Sequence, residues 1–148
     1  MTIKKAFVKQ LNGLTFAARM SSNHWVMMDT AVESGGNAAA SSPKELILAA
    51  LAGCTGMDVA SMLVKRRIEL ESFTMDITAQ EAEHHPKVYT EIHIEYIFRG
   101  VEIEPSDVER AIELSQKKYC SVSHMLKQSV NITTSYRIEE PVAVEAVA

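Results

Sequence analysis

Cys54 and Cys120 are the only cysteines of this 148-residue chain. A thiolate is the side chain best suited to attack an electrophilic oxygen or sulfur. The two lie far apart in sequence, with no C-x-x-C and no His or Cys at metal-ligand spacing, so no metal is expected. Two readings stay open. Free cysteines are often inert core residues. Alternatively, one thiol is oxidised and the other resolves it as a disulfide. His84-His85-Pro86 reads as a solvated turn, because no carboxylate or thiol motif accompanies it. Lys65-Arg66-Arg67 falls where a helix should end, where cations suit the helix dipole.

The elements around Cys54 can be read from pattern. Asn12-Gly13 between Leu11 and Leu14 signals a hairpin of about Ile3–Leu11 and Leu14–Met20. A third run covers His24–Asp29, and Ser34-Gly35-Gly36-Asn37 reads as loop. Ser42-Pro43-Lys44-Glu45 then combines a capping box with Pro at the first helical position. The helix it opens should run to about Arg67. Its middle holds Ala49, Ala50, Ala52, Gly53, Gly56 and Ala60. Each glycine costs roughly 1 kcal/mol of helix stability against alanine, so close packing of another backbone is expected there.

Phe73, Met75, Ile77 and Ala79 alternate with polar residues, as do Ile92, Ile94, Tyr96 and Phe98. Ser106-x-x-Glu109 looks like a second capping box, for a helix to about Tyr119. A short helix around Ser121–Lys127 and a strand carrying Val130, Ile132, Thr134, Tyr136 and Ile138 follow. Met27, Met28, Met57, Met62 and Met75 read as gap-filling core residues. The order is βββ-α-ββ-α-α-β, an α+β single domain with antiparallel sheets. Its parts are N-terminal strands 1–40, a central helix 42–67, a ββααβ portion 70–138 and a tail 139–148.

Composition fits a globular protein, with 47% hydrophobic and 23% charged residues. A net charge of −4 without a basic face gives no footing for nucleic acid. Leu46–Val64 approaches the length of a membrane span, but it carries Asp58 and many small and polar residues, so a buried helix is expected. MTIKKAFVKQ lacks the features of a signal peptide. A cytoplasmic, reducing setting follows as the expectation, and with it reduced thiols.

The run Ser42-Pro43-Lys44-Glu45-Leu46-Ile47-Leu48-Ala49-Ala50-Leu51-Ala52-Gly53-Cys54, continued by Thr55-Gly56-Met57-Asp58-Val59, resembles the central-helix motif of the OsmC/Ohr superfamily. Tyr119-Cys120-Ser121-Val122-Ser123-His124 is similar to its second landmark, a Cys ahead of a short C-terminal helix. The resemblance implies an intertwined homodimer with paired sites at its interface. It also implies a thiol peroxidase acting on organic or hydrogen peroxides in oxidative-stress defence. Cys54 would attack, Cys120 would resolve, and an external dithiol rather than a bound cofactor would restore the thiols.

The surroundings of the thiols bear on that implication. Cys54 lies mid-helix, where burial and Asp58 one turn on both disfavour a thiolate. A positive partner from elsewhere is therefore expected. The peroxidases use an Arg from the N-terminal strands, held by a Glu at the helix start. Arg19 is the only Arg in the first three strands and is the candidate thiolate partner. Lys44 stands where that Glu would be; it lies roughly 80° around the helix from Cys54, and Glu45 roughly 180°. Cys120 precedes a helix, and Lys117, Lys118 and His124 are close in sequence, so its own thiol is expected to be acidified. The alternative function is a non-catalytic dimer that senses oxidation or holds a small ligand, and beyond it a structural dimer with inert thiols.

Overall fold

The computed structural model describes residues 1–143; the end of the tail, 144–148, lies outside the described residues. The elements are β1 (Ala6–Asn12), β2 (Thr15–Met20), β3 (Trp25–Met28), α1 (Pro43–Lys65), β4 (Ser72–Glu81), β5 (Tyr89–Arg99), α2 (Pro105–Leu114), α3 (Ser121–Leu126) and β6 (Asn131–Glu139). A 3-10 turn covers Val32–Ser34, and a π-helical turn, Ser115–Tyr119, follows α2. This is the expected α+β order. The chain forms two compact units, Met1–Ala49 and Ala50–Ala148.

In the first unit the sheet order is β1-β2-β3, all antiparallel. Gly13 turns the hairpin with φ 56°, a conformation glycine adopts without penalty. Buried Asp29 organises the loop that follows β3. It accepts the Thr15 hydroxyl (2.8 Å) and the backbone N–H groups of Thr30 (2.8 Å) and Ala39 (3.1 Å). The Ser42/Glu45 capping box forms as expected. The Ser42 N–H donates to Glu45 Oε2 (2.6 Å) and the Glu45 N–H to Ser42 Oγ (3.3 Å).

In the second unit β5 is the central strand, between β4 and β6. Ile92, Ile94, Tyr96 and Phe98 are fully buried, and the rings of Phe73 and Phe98 stack at 4.7 Å. β4 pairs antiparallel with β5, but β6 pairs parallel, so this sheet is mixed rather than wholly antiparallel. The reason is the crossover: α2 and α3 lie between β5 and β6, and a helical connection returns the chain in the same direction.

Within the second unit α1 buries Leu51, Thr55, Val59 and Leu63, one stripe at intervals of four. Gly56 is buried beside the Met75 side chain, whose Cε would lie 2.5 Å from an added Cβ. Among the described residues, an added Cβ at Gly53 would meet nothing within 4 Å. The expected close backbone is therefore not supplied to either glycine by the described residues. Met57, expected in the core, is 75% exposed. The second expected capping box does not form either. Glu104 caps α2 without a side-chain bond, and Pro105 takes the first position, so Ser106 and Glu109 lie inside the helix.

Candidate functional site: a thiol pair with a carboxylate

Two elements of the second unit bring the cysteines together. α1 carries Cys54 and Thr55 side by side and Asp58 one turn on. The π-helical turn carries the chain into α3, with the Cys120 N–H bonded five residues back to the Ser115 carbonyl (2.8 Å). π-turns are rare and often mark functional sites. Here the wide turn directs both Ser115 and Gln116 side chains toward α1. Cys120 then caps α3, its Sγ accepting from the Ser123 N–H at 3.3 Å.

The result is a cluster of three groups. Cys54 Sγ, Cys120 Sγ and a carboxylate oxygen of Asp58 all lie within 4.8 Å of one another. A disulfide needs about 2.05 Å, so bridging asks for a side-chain movement of under about 3 Å. Ser121 Oγ is 3.9 Å from Cys54 Sγ. Cys120 is fully buried and Cys54 half-buried. Two thiolates and a carboxylate could in principle bind a soft divalent cation. Protein hydrogen bonds to all three groups already account for their placement.

Behind the thiols runs a buried polar network. The Ser115 hydroxyl donates to Asp58 Oδ2 at 2.9 Å. Its proton is thereby committed, so at the 2.8 Å contact with Ser115 it is Thr55 that donates. The same logic makes Tyr96 the donor to Thr55 Oγ1 (2.7 Å). Gln116 Nε2 donates to both Thr55 and Tyr96 (3.1 Å each), and its amide is oriented by the Ser123 hydroxyl on Oε1 (2.7 Å). Burial first of all pushes the Tyr96 hydroxyl up, which keeps it a donor. The chain Tyr96–Thr55–Ser115 thus points its protons one way and ends on Asp58.

The environments of the thiols pull their acidities apart. Burial pushes the Cys54 thiol up, and Asp58 adds to that. Hydrogen bonds from the Val122 backbone N–H, Cys120 and Ser121 outweigh both, so Cys54 sits below the usual thiol range. Burial pushes Cys120 up to about 11, against the Ser123 N–H, with the neighbouring Cys54 and Asp58 adding to the rise. The direction expected for each thiol is therefore reversed. The N-terminus of α3 serves Cys54 rather than only its own cap, and the Cys120 S–H is a donor to the Cys54 thiolate. No cation is needed for that lowering.

Arg19 lies on β2 of the first unit. Its guanidinium carbon sits 5.9 Å from the Phe7 ring centre and 5.8 Å from that of Trp25, its register partners on either side. That is cation–π range. Lys117 pairs with Glu113, Lys118 lies over the Tyr119 ring, and the His124 ring bonds the Lys117 carbonyl. Thr55, Ser115, Gln116 and Tyr96 escaped sequence reasoning. The available signal was polar Thr55 on an apolar helix, and a core tyrosine whose hydroxyl must find a partner.

A protein-family model described as OsmC-like protein matches residues 35–135. Protein YhfA of Escherichia coli (strain K12) is 38% identical over 136 residues, spanning 90% of this chain and 97% of its own. The crystal structure of a hypothetical protein from Aquifex aeolicus VF5 superposes with a TM-score of 0.83 at 31% identity, covering 95% of this chain and 98% of that one. An organic hydroperoxide resistance protein OsmC from Legionella pneumophila, also described as a predicted redox protein, gives 0.67 at 15% identity, over 92% and 98% of the two chains. At that identity the likeness is one of fold. Motif, element order and these matches agree: the chain belongs to the OsmC-like protein family.

Proposed function

We propose that this protein is a thiol-dependent peroxidase. It reduces organic or hydrogen peroxides as a cytoplasmic homodimer, with an external dithiol as reductant. The observation that carries the reading is the split between two adjacent thiols, Cys54 held low and Cys120 held high. The Cys54 thiolate attacks the distal peroxide oxygen, and the O–O bond breaks. Cys54 becomes a sulfenic acid, and the alkoxide leaves as an alcohol after taking a proton. The Cys120 sulfur then attacks the Cys54 sulfur, a disulfide forms and water leaves. The dithiol reduces that disulfide by exchange and is itself oxidised. Arg19 is proposed as the group that steadies the peroxide or the thiolate.

The test is consumption of cumene hydroperoxide by reduced protein with a lipoyl-type dithiol. Turnover is expected in the native protein. Cys54→Ser should fall to the buffer rate, and Arg19→Met should slow peroxide attack without unfolding the chain. The absence of turnover in the native protein, with several peroxides and dithiols, would overturn the reading. A second reading, a redox sensor oxidised once per stress event, is favoured by Lys44 at the place of the peroxidase Glu. Stoichiometric oxidation that stops after one equivalent of peroxide, dithiol present, would select it.

A further inference from the structure

We infer that Asp58 is the proton acceptor of the thiol pair: its carboxylate takes the proton of Cys120 as that sulfur attacks the oxidised Cys54. This rests on the reading of Cys54 and Cys120 as an exchanging pair, but not on peroxide being the oxidant.

Three observations carry it. First, the resolving sulfur is fully buried and keeps its proton, yet a protonated thiol is a poor nucleophile. A base must act on it. Second, the Asp58 carboxylate lies within 4.8 Å of both sulfurs, close enough for transfer through one water. Third, the carboxylate is not loosely placed. The Tyr96–Thr55–Ser115 chain ends on Asp58 Oδ2, and every hydroxyl in it donates toward the carboxylate. Three buried side chains thus fix a charge beside two thiols, although that charge disfavours both thiolates. A proton-accepting role explains why a group so unfavourable to the resting thiolate is held there.

The titratable groups facing Asp58 are Cys54 on its own helix, Cys120 ahead of α3, and Tyr96 on β5 through the network. From the π-helical turn come Ser115 and Gln116, which do not titrate.

The experiment uses the full reduced chain and 5,5′-dithiobis(2-nitrobenzoate), an oxidant independent of peroxide. The Cys54 thiolate attacks the reagent, its S–S bond breaks, and one thionitrobenzoate leaves. The Cys120 sulfur then attacks the mixed disulfide on Cys54. A Cys54–Cys120 disulfide forms, a second thionitrobenzoate leaves, and the Cys120 proton passes to Asp58 and on to solvent.

In Asp58→Asn the first release should speed up, because the nearby negative charge is gone. The second should slow by about a hundredfold or more, the usual loss when a positioned base is removed. Its rate should then rise about tenfold per pH unit through neutrality, since only spontaneous ionisation of Cys120 remains. Asp58→Glu should restore part of it.

The sign decides. Were Asp58 only a charge, Asn would make Cys120 more acidic and the second release faster. A second release in Asp58→Asn at the native rate or above overturns the inference. If the native protein gives no second release, the pair does not exchange and the inference falls. If it gives both releases but never turns over peroxide, the peroxidase reading fails and the role of Asp58 stands.

Discussion

At the scale of residues, the acidity of Cys54 is a matter of who donates to it. The Cys120 S–H is one donor and the Val122 N–H, in the first turn of α3, is another. Cys120→Ala removes the first. It also removes the cap on the Ser123 N–H, a change that costs about 1 kcal/mol at a side-chain N-cap and loosens the turn holding Val122. Cys120→Ser keeps a hydroxyl that can both donate and cap. Each variant leaves Cys54 as the single thiol, so alkylation by iodoacetamide reports it alone. The Ala variant should react severalfold more slowly near neutral pH than the Ser variant, its pH profile displaced upward. The sign follows from the donors: losing a bond to the thiolate raises the thiol, and less thiolate is present at a given pH. Equal rates in the two variants would show that Cys120 does not set the Cys54 acidity. Both thiols were legible in the sequence, the first from its helix motif and the second from its place before a short helix. The directions of their shifts were not. They depend on which sulfur the N–H groups of α3 reach, and that is fixed only when α3 and α1 pack.

At the scale of elements, local chemistry read well and long-range chemistry read poorly. The hairpin and the Ser42/Glu45 capping box both form, the hairpin one residue on, with Asn12 paired to Thr15 and Gly13-Leu14 as its turn, because each is complete within a few positions. Alternation along a strand says which face is wet and nothing about direction; the parallel pairing of β6 with β5 follows from the helices between them, which the sequence does show. The π-helical turn was missed because Ser115–Tyr119 continues α2 without any break in sequence pattern. Gly36 falls between the two cases: its sequence marks a loop, but nothing local to it requires glycine. The reason is a close approach: an added Cβ would meet the Thr30 carbonyl oxygen at 2.1 Å. That atom is backbone, and the Thr30 N–H is itself held by Asp29 (2.8 Å). The loop therefore cannot yield by rotating a side chain. Gly36→Ala should cost about 1–3 kcal/mol, as overpacking does. Gly56→Ala meets only the flexible end of Met75 and should cost less. Thermal unfolding of the two variants side by side checks the order, and a Gly36→Ala protein as stable as the native would refute the close approach.

At the scale of the whole molecule, α1 presents two apolar stripes where a helix at a protein surface normally has one. Leu51, Thr55, Val59 and Leu63 face the core of the second unit. Gly53, Met57, Ala60 and Val64 recur at intervals of three and four on nearly the opposite side. Met57 is 75% and Val64 72% exposed, and none of the described residues lies over Gly53. A glycine lowers the stability of a helix and is unexplained here unless something approaches the bare backbone. The occupant proposed for this stripe is the same helix of a second copy, as the homodimer reading requires. Small residues let two such backbones come close, and Met57 supplies adaptable packing at the seam. Light scattering on the eluting protein should then give twice the 16.4 kDa chain mass. Met57→Lys places an ammonium on the stripe, and burying it unpaired in a dimer is costly. The variant should elute at the mass of one chain, or separate into single chains at much lower dilution than the native protein, with the capping box and the thiol pair intact. A Met57→Lys dimer that withstands dilution as well as the native one would place the interface elsewhere. It would also leave the glycine at position 53 without a physical reason.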